Sequence, residues 1–439
     1  MIALALTEVA RLCPGRLQIA PGATEATGLE IDSRRIRPGD LFVAVRGGVA
    51  FAGDALERGA AAALEPLDDH AAMAALGRAV RDRSQARVVA VTGSTGKTST
   101  KDILAALCRP HLRTVAAEQS HNNEIGLPLT LTRIEPDTEV VVAEMGTRGL
   151  GQVRELCRIA RPDVAVITRI GPAHLELFGT VERVAEAEAE VVAELPSGGA
   201  VCVPAGERLL EPYLRRDDLR VIAYGEGGDV ELASFEAGEH DARLRVRALG
   251  EEAEITFNIR SRHNATNALA ALAAYRALGL PLAEAWHGAS QVSLSRFREE
   301  EIALPGGGLL INDAYNANPV SMAAALDHLV ERARGRRCVA VLGDMAELGP
   351  GASAYHGEVG RAAARAGVDV LVALGPLARG YLEGAEGVPV RHWAPTPTEG
   401  LPVLHGTLRP GDCVLVKGSR SMGLETVAEA LASASVAGR

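Results

Sequence analysis

Short β-branched runs separated by longer stretches of helical spacing set the rhythm of this chain from residue 88 onward. "VVAVT" (88–92) is followed by a stretch whose Ile103, Leu104 and Leu107 share one helical face. "VVVAE" (140–144) precedes a helical stretch near 150–160, and "VAVIT" (164–168) precedes another near 181–195. Strand and helix in alternation predict a mostly parallel sheet covered by helices. Residues 229–260 change style. There "ARLRVRAL" and "AEITFNI" alternate residue by residue, which predicts an antiparallel addition, and a helix follows at 264–278. A second α/β rhythm begins near 299 with "GLLINDAY", "CVAVLGDM", "VDVLVALG" and "DCVLVKGS".

Before residue 88 the pattern is weaker. "DLFVAV" (40–45) reads as a strand, the alanine-rich stretch near 55–64 as a helix, and the polar "RDRSQAR" (81–87) as a linker. No fixed-period repeat occurs. The fold class expected is α/β in three domains, with boundaries at 1–85, 86–298 and 299–439.

Composition narrows the function. With 47% hydrophobic and 23% charged residues in 439, the chain reads as a soluble globular protein of more than one core. A net charge of -10 and 3% aromatics argue against nucleic acid as the main partner. Six scattered cysteines without a C-x-x-C pair suggest reduced thiols in a cytoplasm. The start "MIALALTEVARL" lacks a basic region and carries Glu8 and Arg11 within its apolar run, so it does not read as a signal peptide. No window approaches the roughly 20 apolar residues of a membrane span. Of 46 basic residues only Lys97, Lys101 and Lys417 are lysine, so each invites a reason.

The candidate chemistry centres on Gly93-Ser94-Thr95-Gly96-Lys97-Thr98-Ser99, which follows a strand and opens a helix. The full G-x-x-x-x-G-K-[ST] spacing is contracted here, because position 91 is Val. The context still predicts a nucleotide site. Backbone N–H groups and the positive helix end hold phosphate oxygens, Lys97 reaches the β- and γ-phosphates, and Thr98 ligates Mg²⁺. No guanine-reading N-K-x-D stretch is present. By spacing alone, Glu144 is either a second metal ligand or an ordinary strand-end carboxylate. His174 is by itself a loop or capping histidine, since magnesium prefers oxygen.

The helix at 181–195 is more telling. At ~100° per residue, Val184, Ala187, Val191 and Leu195 form one stripe. Glu182, Glu186, Glu190 and Glu194 fall opposite or beside it, where solvated glutamates belong. Glu188 instead projects between Val184, Val191, Val192 and Leu195, toward the interior. A buried carboxylate is costly unless paired or metal-bound, so a metal-linked role is the expectation.

The stretches "TGSTGKTST", "NNEIGLPLTL", "AEMGTRGLGQV", "AHLELFGTVE", "RHNATNALAA", "INDAYNANPVSM", "VLGDMAELG" and "VLVKGSRSM" together resemble the Mur ligases of peptidoglycan synthesis, over essentially the whole chain. "NDAYNANP" and "GDMAELG" resemble the members that join D-alanyl-D-alanine to UDP-N-acetylmuramoyl-tripeptide. The resemblance implies a UDP-substrate domain, an ATP-binding domain on a central P-loop-type sheet, and a C-terminal Rossmann-like domain that binds the incoming dipeptide. It implies ATP and two Mg²⁺ ions and an acyl-phosphate intermediate; the protein is expected to be a cytoplasmic monomer. Catalytic roles fall to Lys97, Glu144, His174 and Glu188. Thr98 and Glu144 would hold the first magnesium, and Glu144 with His174 the second.

Other positions carry an implied role beside a plainer one. Asn267 and Arg298 would contact adenine and phosphates, and Asp313 the ribose side. Read alone they are a helix-decorating amide, a linker charge and a strand-end turn residue. Asn122 and Asn123 would face the peptide, or only make a turn. Asn316, Asn318, Lys417, Ser419 and Arg420 would line the dipeptide side, where Lys417 and Arg420 suit a carboxylate, or belong to a basic surface turn. Ser33 and Arg34 in "EIDSRRIRPGDLFVAVRG" would contact uridine, or form a polar turn.

Two departures stand out. The family's carbamylated lysine in an A-K-x-E pattern is replaced by Ala187-Glu188-Ala189-Glu190, so Glu188 would supply the carboxylate, reaching metal through water. The D-G-H-D-F segment is contracted to "FAGDAL" (51–56). The ligase adding the third residue fits less well, since its D-N-P-R signature is absent, and folylpolyglutamate synthetase should not carry "NDAYNANP". A nucleotide-binding protein without ligase activity would not need Lys97, Thr98, Glu144 and His174 together.

Overall fold

The computed structural model describes residues 1–433, and its apolar runs are buried parallel strands. Arg87–Thr92 lies between Val140–Glu144 and Val164–Ile167, each buried over nearly its whole length. A strand covered on both faces needs no polar alternation, which is why these runs are uniformly apolar. The sheet has nine strands in the order Glu251–Phe257, Ala242–Ala248, Val230–Ala237, Arg220–Tyr224, Ala200–Pro204, Val164–Ile167, Arg87–Thr92, Val140–Glu144, Thr114–Ala116. Pairing is parallel from Thr114–Ala116 to Val230–Ala237 and antiparallel for the last two pairs. Buried and exposed positions alternate along Ala242–Ala248, as the residue-by-residue pattern there predicts.

Chain order reverses at Arg87–Thr92. The next two strands lie on one side of it and the following ones on the other. Such a switch point opens a crevice at the carboxyl ends of the strands, and residue 93 begins there.

The chain divides into two compact units. The first comprises Met1–Thr168, Glu186–Arg260 and Ala265–Ser293, and the second comprises Arg169–Ala185, Ser261–Asn264 and the chain from Leu294. Besides the large sheet, the first unit holds a four-stranded sheet of Gly15–Ile19, Ala62–Pro66, Asp40–Val43 and Gly28–Glu30. The alanine-rich stretch near 55–64 is not one helix. Its helix, Ala52–Glu57, stops early, and Ala62–Pro66 pairs with strands on both sides. Alanine's helix preference amounts to tenths of a kcal/mol per residue, roughly, and pairing in a buried sheet overrides it. The linker expected at 81–87 is also shorter: a helix runs to Arg81 and a strand starts at Arg87.

In the second unit the sheet order is Glu300–Leu304, Gly308–Asn312, Cys413–Lys417, Cys338–Gly343, Val370–Leu374, Val390–Ala394. All pairs but the first are parallel. Alternate side chains of Cys338–Gly343 enter two cores. Ala340 and Leu342 meet Leu326, Leu329 and Val359 on one face, while Val339 and Val341 meet Leu404, Val427 and Leu431 on the other. This is a doubly wound, Rossmann-like layer. Among the described residues no helix is long and apolar enough to cross a membrane.

All six cysteines are free and buried. Burial pushes the Cys13 thiol up to about 11 and those of Cys108, Cys202 and Cys413 up to about 12. The thiolate is the reactive form, so these thiols are inert at neutral pH. A chromogenic disulfide reagent at pH 8 should therefore label almost nothing in the native protein and all six thiols in denaturant. A fast-reacting native thiol would contradict this packing.

Candidate active site

The phosphate loop is held from behind. Gly93 and Gly96 have φ of 123° and 93°, which side chains rarely adopt. A Cβ at Gly93 would strike Thr168, and one at Gly96 would strike the Asn267 amide. Gly96 caps the helix Lys97–Cys108. The Gly93 N–H donates to Glu188 Oε2 at 2.8 Å, and the Thr92 hydroxyl lies against that same oxygen and 2.9 Å from the Met145 carbonyl. Lys97 folds back so that its ammonium donates to the Gly93 carbonyl.

Glu188 is 3% exposed, as its place on the helix predicts. What it faces is the base of the phosphate loop. Glu190, expected in solvent, is 7% exposed and is a correction to the helical reading. Its carboxylate accepts the N–H groups of Gly151 and Arg154 (3.0 Å to Arg154), so it neutralises the positive end of the helix Gln152–Ala160. Glu182 and Glu186 are exposed, as expected.

Glu144 ends the neighbouring strand and is 1% exposed. Its Oε1 accepts from the Thr98 hydroxyl at 3.2 Å and from Asn122 Nδ2 at 2.8 Å. Its Oε2 is buried and has no hydrogen-bond partner among the described residues. Leaving such an oxygen unsatisfied costs about 1–3 kcal/mol, and more for a charge. A hard divalent cation beside the Thr98 hydroxyl, completed by phosphate oxygens and water, fits this oxygen. Among the described residues no three His, Cys, Asp or Glu side chains cluster as a metal cage. Magnesium does not need one, because it usually binds through one or two carboxylates plus phosphates.

Other predicted residues of the first unit separate by what their side chains do. Asn122 reaches Glu144, whereas Asn123 Oδ1 accepts the N–H groups of Ile125 and Gly126 and shapes the turn into the helix Gly126–Leu131. Asn267 is buried beside Gly96. Ser33 is buried in a short 3-10 turn. Arg34 is exposed and forks onto Asp32 at 2.9 and 2.7 Å, holding that carboxyl down at about 2.

In the second unit His174 sits at φ 51° before the short helix Leu175–Phe178, and its Nδ1 pairs with Glu347, itself at φ 62°. The Glu347 carbonyl accepts the Glu176 N–H at 3.0 Å. Glu347 lies within "GDMAELG", but sequence reasoning gave it no role, since nothing local signals a partner 173 residues away. Lys417 is buried with its ammonium 2.6 Å from Asp313 Oδ2 and 3.0 Å from the Asn316 carbonyl. Asn316 Oδ1 accepts the Ala317 N–H, and Asn318 forms a capping box with Ser321 on the helix Pro319–Ala333. The Ser419 hydroxyl accepts the Ala346 N–H at 2.8 Å. The Arg298 guanidinium stacks on Tyr315 at 4.2 Å, and Arg420 pairs with Glu425 at 2.9 Å. Burial pushes the His263 imidazole, near Glu299, Asp313 and Lys417, below its usual range.

A glycine-bearing loop at a switch point, backed by one buried carboxylate and flanked by another with an unmatched oxygen, defines a P-loop nucleotide enzyme. Residues 91–275 match the Mur ligase middle domain and residues 297–420 the Mur ligase glutamate ligase domain, and the chain belongs to the Mur ligase family. It is similar to the UDP-N-acetylmuramoyl-tripeptide–D-alanyl-D-alanine ligase of Bacillus subtilis (strain 168), 33% identical over 430 residues, 92% of this chain and 93% of that one. MurF from Acinetobacter baumannii has the same fold with a TM-score of 0.86 at 28% identity, covering 98% of this chain and 99% of that one. A MurF ligase from Thermotoga maritima in complex with ADP gives a TM-score of 0.77 at 28% identity, over 92% and 96% of the two chains.

Two substitutions test this geometry. Glu188→Gln removes the charge that both Thr92 and Gly93 address, so turnover should fall about tenfold or more while circular dichroism shows the fold intact. A fully active variant would show that the carboxylate is not needed. Gly96→Ala forces a Cβ onto Asn267 at a left-handed φ, and titration with a fluorescent ATP analogue should show binding lost.

Proposed function

We propose that this chain is an ATP-dependent ligase that adds D-alanyl-D-alanine to UDP-N-acetylmuramoyl-tripeptide in peptidoglycan precursor synthesis, giving the UDP-linked pentapeptide, ADP and phosphate. The single observation that carries the mechanism is the phosphate loop beside the unmatched oxygen of Glu144, in a chain that aligns with such a ligase over 92% of its length. The tripeptide's terminal carboxylate attacks the γ-phosphorus, ADP leaves, and an acyl phosphate forms. The dipeptide amine then attacks the acyl carbon. The tetrahedral intermediate expels phosphate and leaves the amide.

Little covalent work falls to the protein; positioning and charge neutralisation dominate. Loop N–H groups hold phosphate oxygens, and Lys97 leaves the Gly93 carbonyl for the transferred phosphoryl group. Thr98 and Glu144 would hold one magnesium, and Glu144 with His174, and Glu188 through water, would serve a second. Bound there, the metal neutralises phosphate charge. Asn267, Arg298 and Asp313 serve the nucleotide, Ser33 and Arg34 the uridine, and Asn122 and Asn123 the peptide. Among Asn316, Asn318, Lys417, Ser419 and Arg420 on the dipeptide side, Lys417 already neutralises Asp313. Arg420 also has a carboxylate partner, Glu425, but its side chain is more than half exposed where that of Lys417 is buried, so it is the better cation for the dipeptide carboxylate. The three substrates divide among residues 1–85, 86–298 and 299–439. ATP and a UDP-linked precursor are cytoplasmic metabolites, so the reading carries a cytoplasmic location.

Phosphate release from Mg·ATP should require both the UDP-tripeptide and D-alanyl-D-alanine, with the pentapeptide seen by mass. Lys97→Ala should abolish it. Release with neither substrate would instead identify an ATPase.

A further inference from the structure

Two of the three lysines are accounted for by the phosphate loop and by Asp313. Lys101 is not. It lies one helical turn beyond Lys97 and is 1% exposed. Its ammonium donates to the carbonyls of Ala117 at 2.8 Å and Gln119 at 2.9 Å, and lies 2.6 Å from Asp102 Oδ1. An ammonium has three donors and no more, so these three oxygens saturate it. Gln119 sits at φ 48°, a left-handed backbone, and its carbonyl meets the same ammonium as that of Ala117.

The loop gripped this way reaches the nucleotide site one residue later. The Ser120 hydroxyl is 3.2 Å from the Thr98 hydroxyl, and Asn122 donates to Glu144 Oε1 at 2.8 Å. The Asn122 carbonyl accepts the Gly146 N–H at 2.8 Å, just beyond that strand end. On its outer side the loop is held by Glu118 pairing with Arg35 and Arg133, whose partly exposed side chains make weak ties. Lys101 is the buried one. The chain otherwise prefers Arg, but a planar fork cannot converge on two carbonyls and a carboxylate as a compact ammonium does.

We infer that Lys101 is a positioning residue for the ligase reaction: it fixes the 117–123 loop so that Ser120 and Asn122 hold Thr98 and Glu144 in place for the metal–nucleotide complex. The inference rests on the reading of Thr98 and Glu144 as metal-holding residues.

The test uses full-length Lys101→Arg, Lys101→Met, Asn122→Ala and Glu144→Gln. For each, the Mg²⁺ dependence of two-substrate phosphate release is measured, together with Mn²⁺ binding by electron paramagnetic resonance in the presence of ADP, and the melting temperature. Lys101→Arg should raise the apparent KM for Mg²⁺ and weaken Mn²⁺ binding by about tenfold or more, with a smaller change in kcat. Asn122→Ala should do the same, and the Lys101→Arg/Asn122→Ala pair should add little to either. Unchanged metal affinity with only a lowered melting temperature would make Lys101 merely structural and overturn the inference, as would full additivity with Asn122→Ala. Should Lys101→Met fail to fold, hydrogen exchange on Lys101→Arg decides: amides of 117–123 should exchange faster while the helix Lys97–Cys108 stays protected, and equal protection overturns it. If Glu144→Gln leaves metal binding intact, the metal reading itself falls and takes the inference with it. If only the lysine variants are silent, the inference alone fails.

Discussion

A phosphate loop must hold one shape before and after its ligand binds, so something other than the ligand must fix it. Here that constraint is met by the carboxylate of Glu188, which accepts from Gly93 and lies against the Thr92 hydroxyl. The bond is charge-assisted and shielded from water, the circumstances in which such bonds are worth most. It fixes the residue at which the strand Arg87–Thr92 gives way to the loop. The direction of the helix Lys97–Cys108, and with it Lys97 and Thr98, follows from that point.

The same economy recurs wherever charge is buried. Glu190 caps a helix start, Lys417 meets Asp313, and Lys101 meets two carbonyls and Asp102. Each arrangement gives its charge partners inside the fold. Glu144 Oε2 breaks the pattern, being enclosed and unmatched among the described residues. Since a buried charge without partners is strongly unfavourable, an oxygen of this kind is kept for something absent from the polypeptide. Glu425 Oε2 is buried and unmatched too, so it is the Thr98 hydroxyl beside Glu144 that supports reading this oxygen as the metal's.

How much of this was legible in the sequence depended on distance along the chain. The parallel strands were readable because burial on both faces leaves an unbroken apolar run. Glu188 was readable because its apolar neighbours lie within two turns of one helix. Glu190 was misread by the same method, since one flank of the helix is also covered, by the start of the helix Gln152–Ala160. The alanine-rich stretch failed because propensity is weak against strand pairing. Lys417 read as a cation for a ligand, yet its counter-charge Asp313 lies 104 residues earlier. Lys101 was marked only by its rarity, and its acceptors are backbone carbonyls, which no sequence pattern displays.

Backbone strain follows a related logic. His174 and Glu347 both hold left-handed conformations that cost about 1–2 kcal/mol for a residue with a Cβ. They lie where two loops of the second unit join through the His174–Glu347 side-chain pair and the Glu176 N–H donated to the Glu347 carbonyl. Gly349 completes that join at close quarters: a Cβ there would approach the Glu176 Cα to 3.3 Å. Strain of this size persists only when surrounding contacts over-determine it, and it gathers where a side chain must be presented in one orientation. Helix propensity and strand burial explain the scaffold, but neither calls for a strained histidine. The presentation of His174 by Glu347 does, and it ties the stretch "GDMAELG" to a predicted site residue whose sequence context alone argued for a bland role.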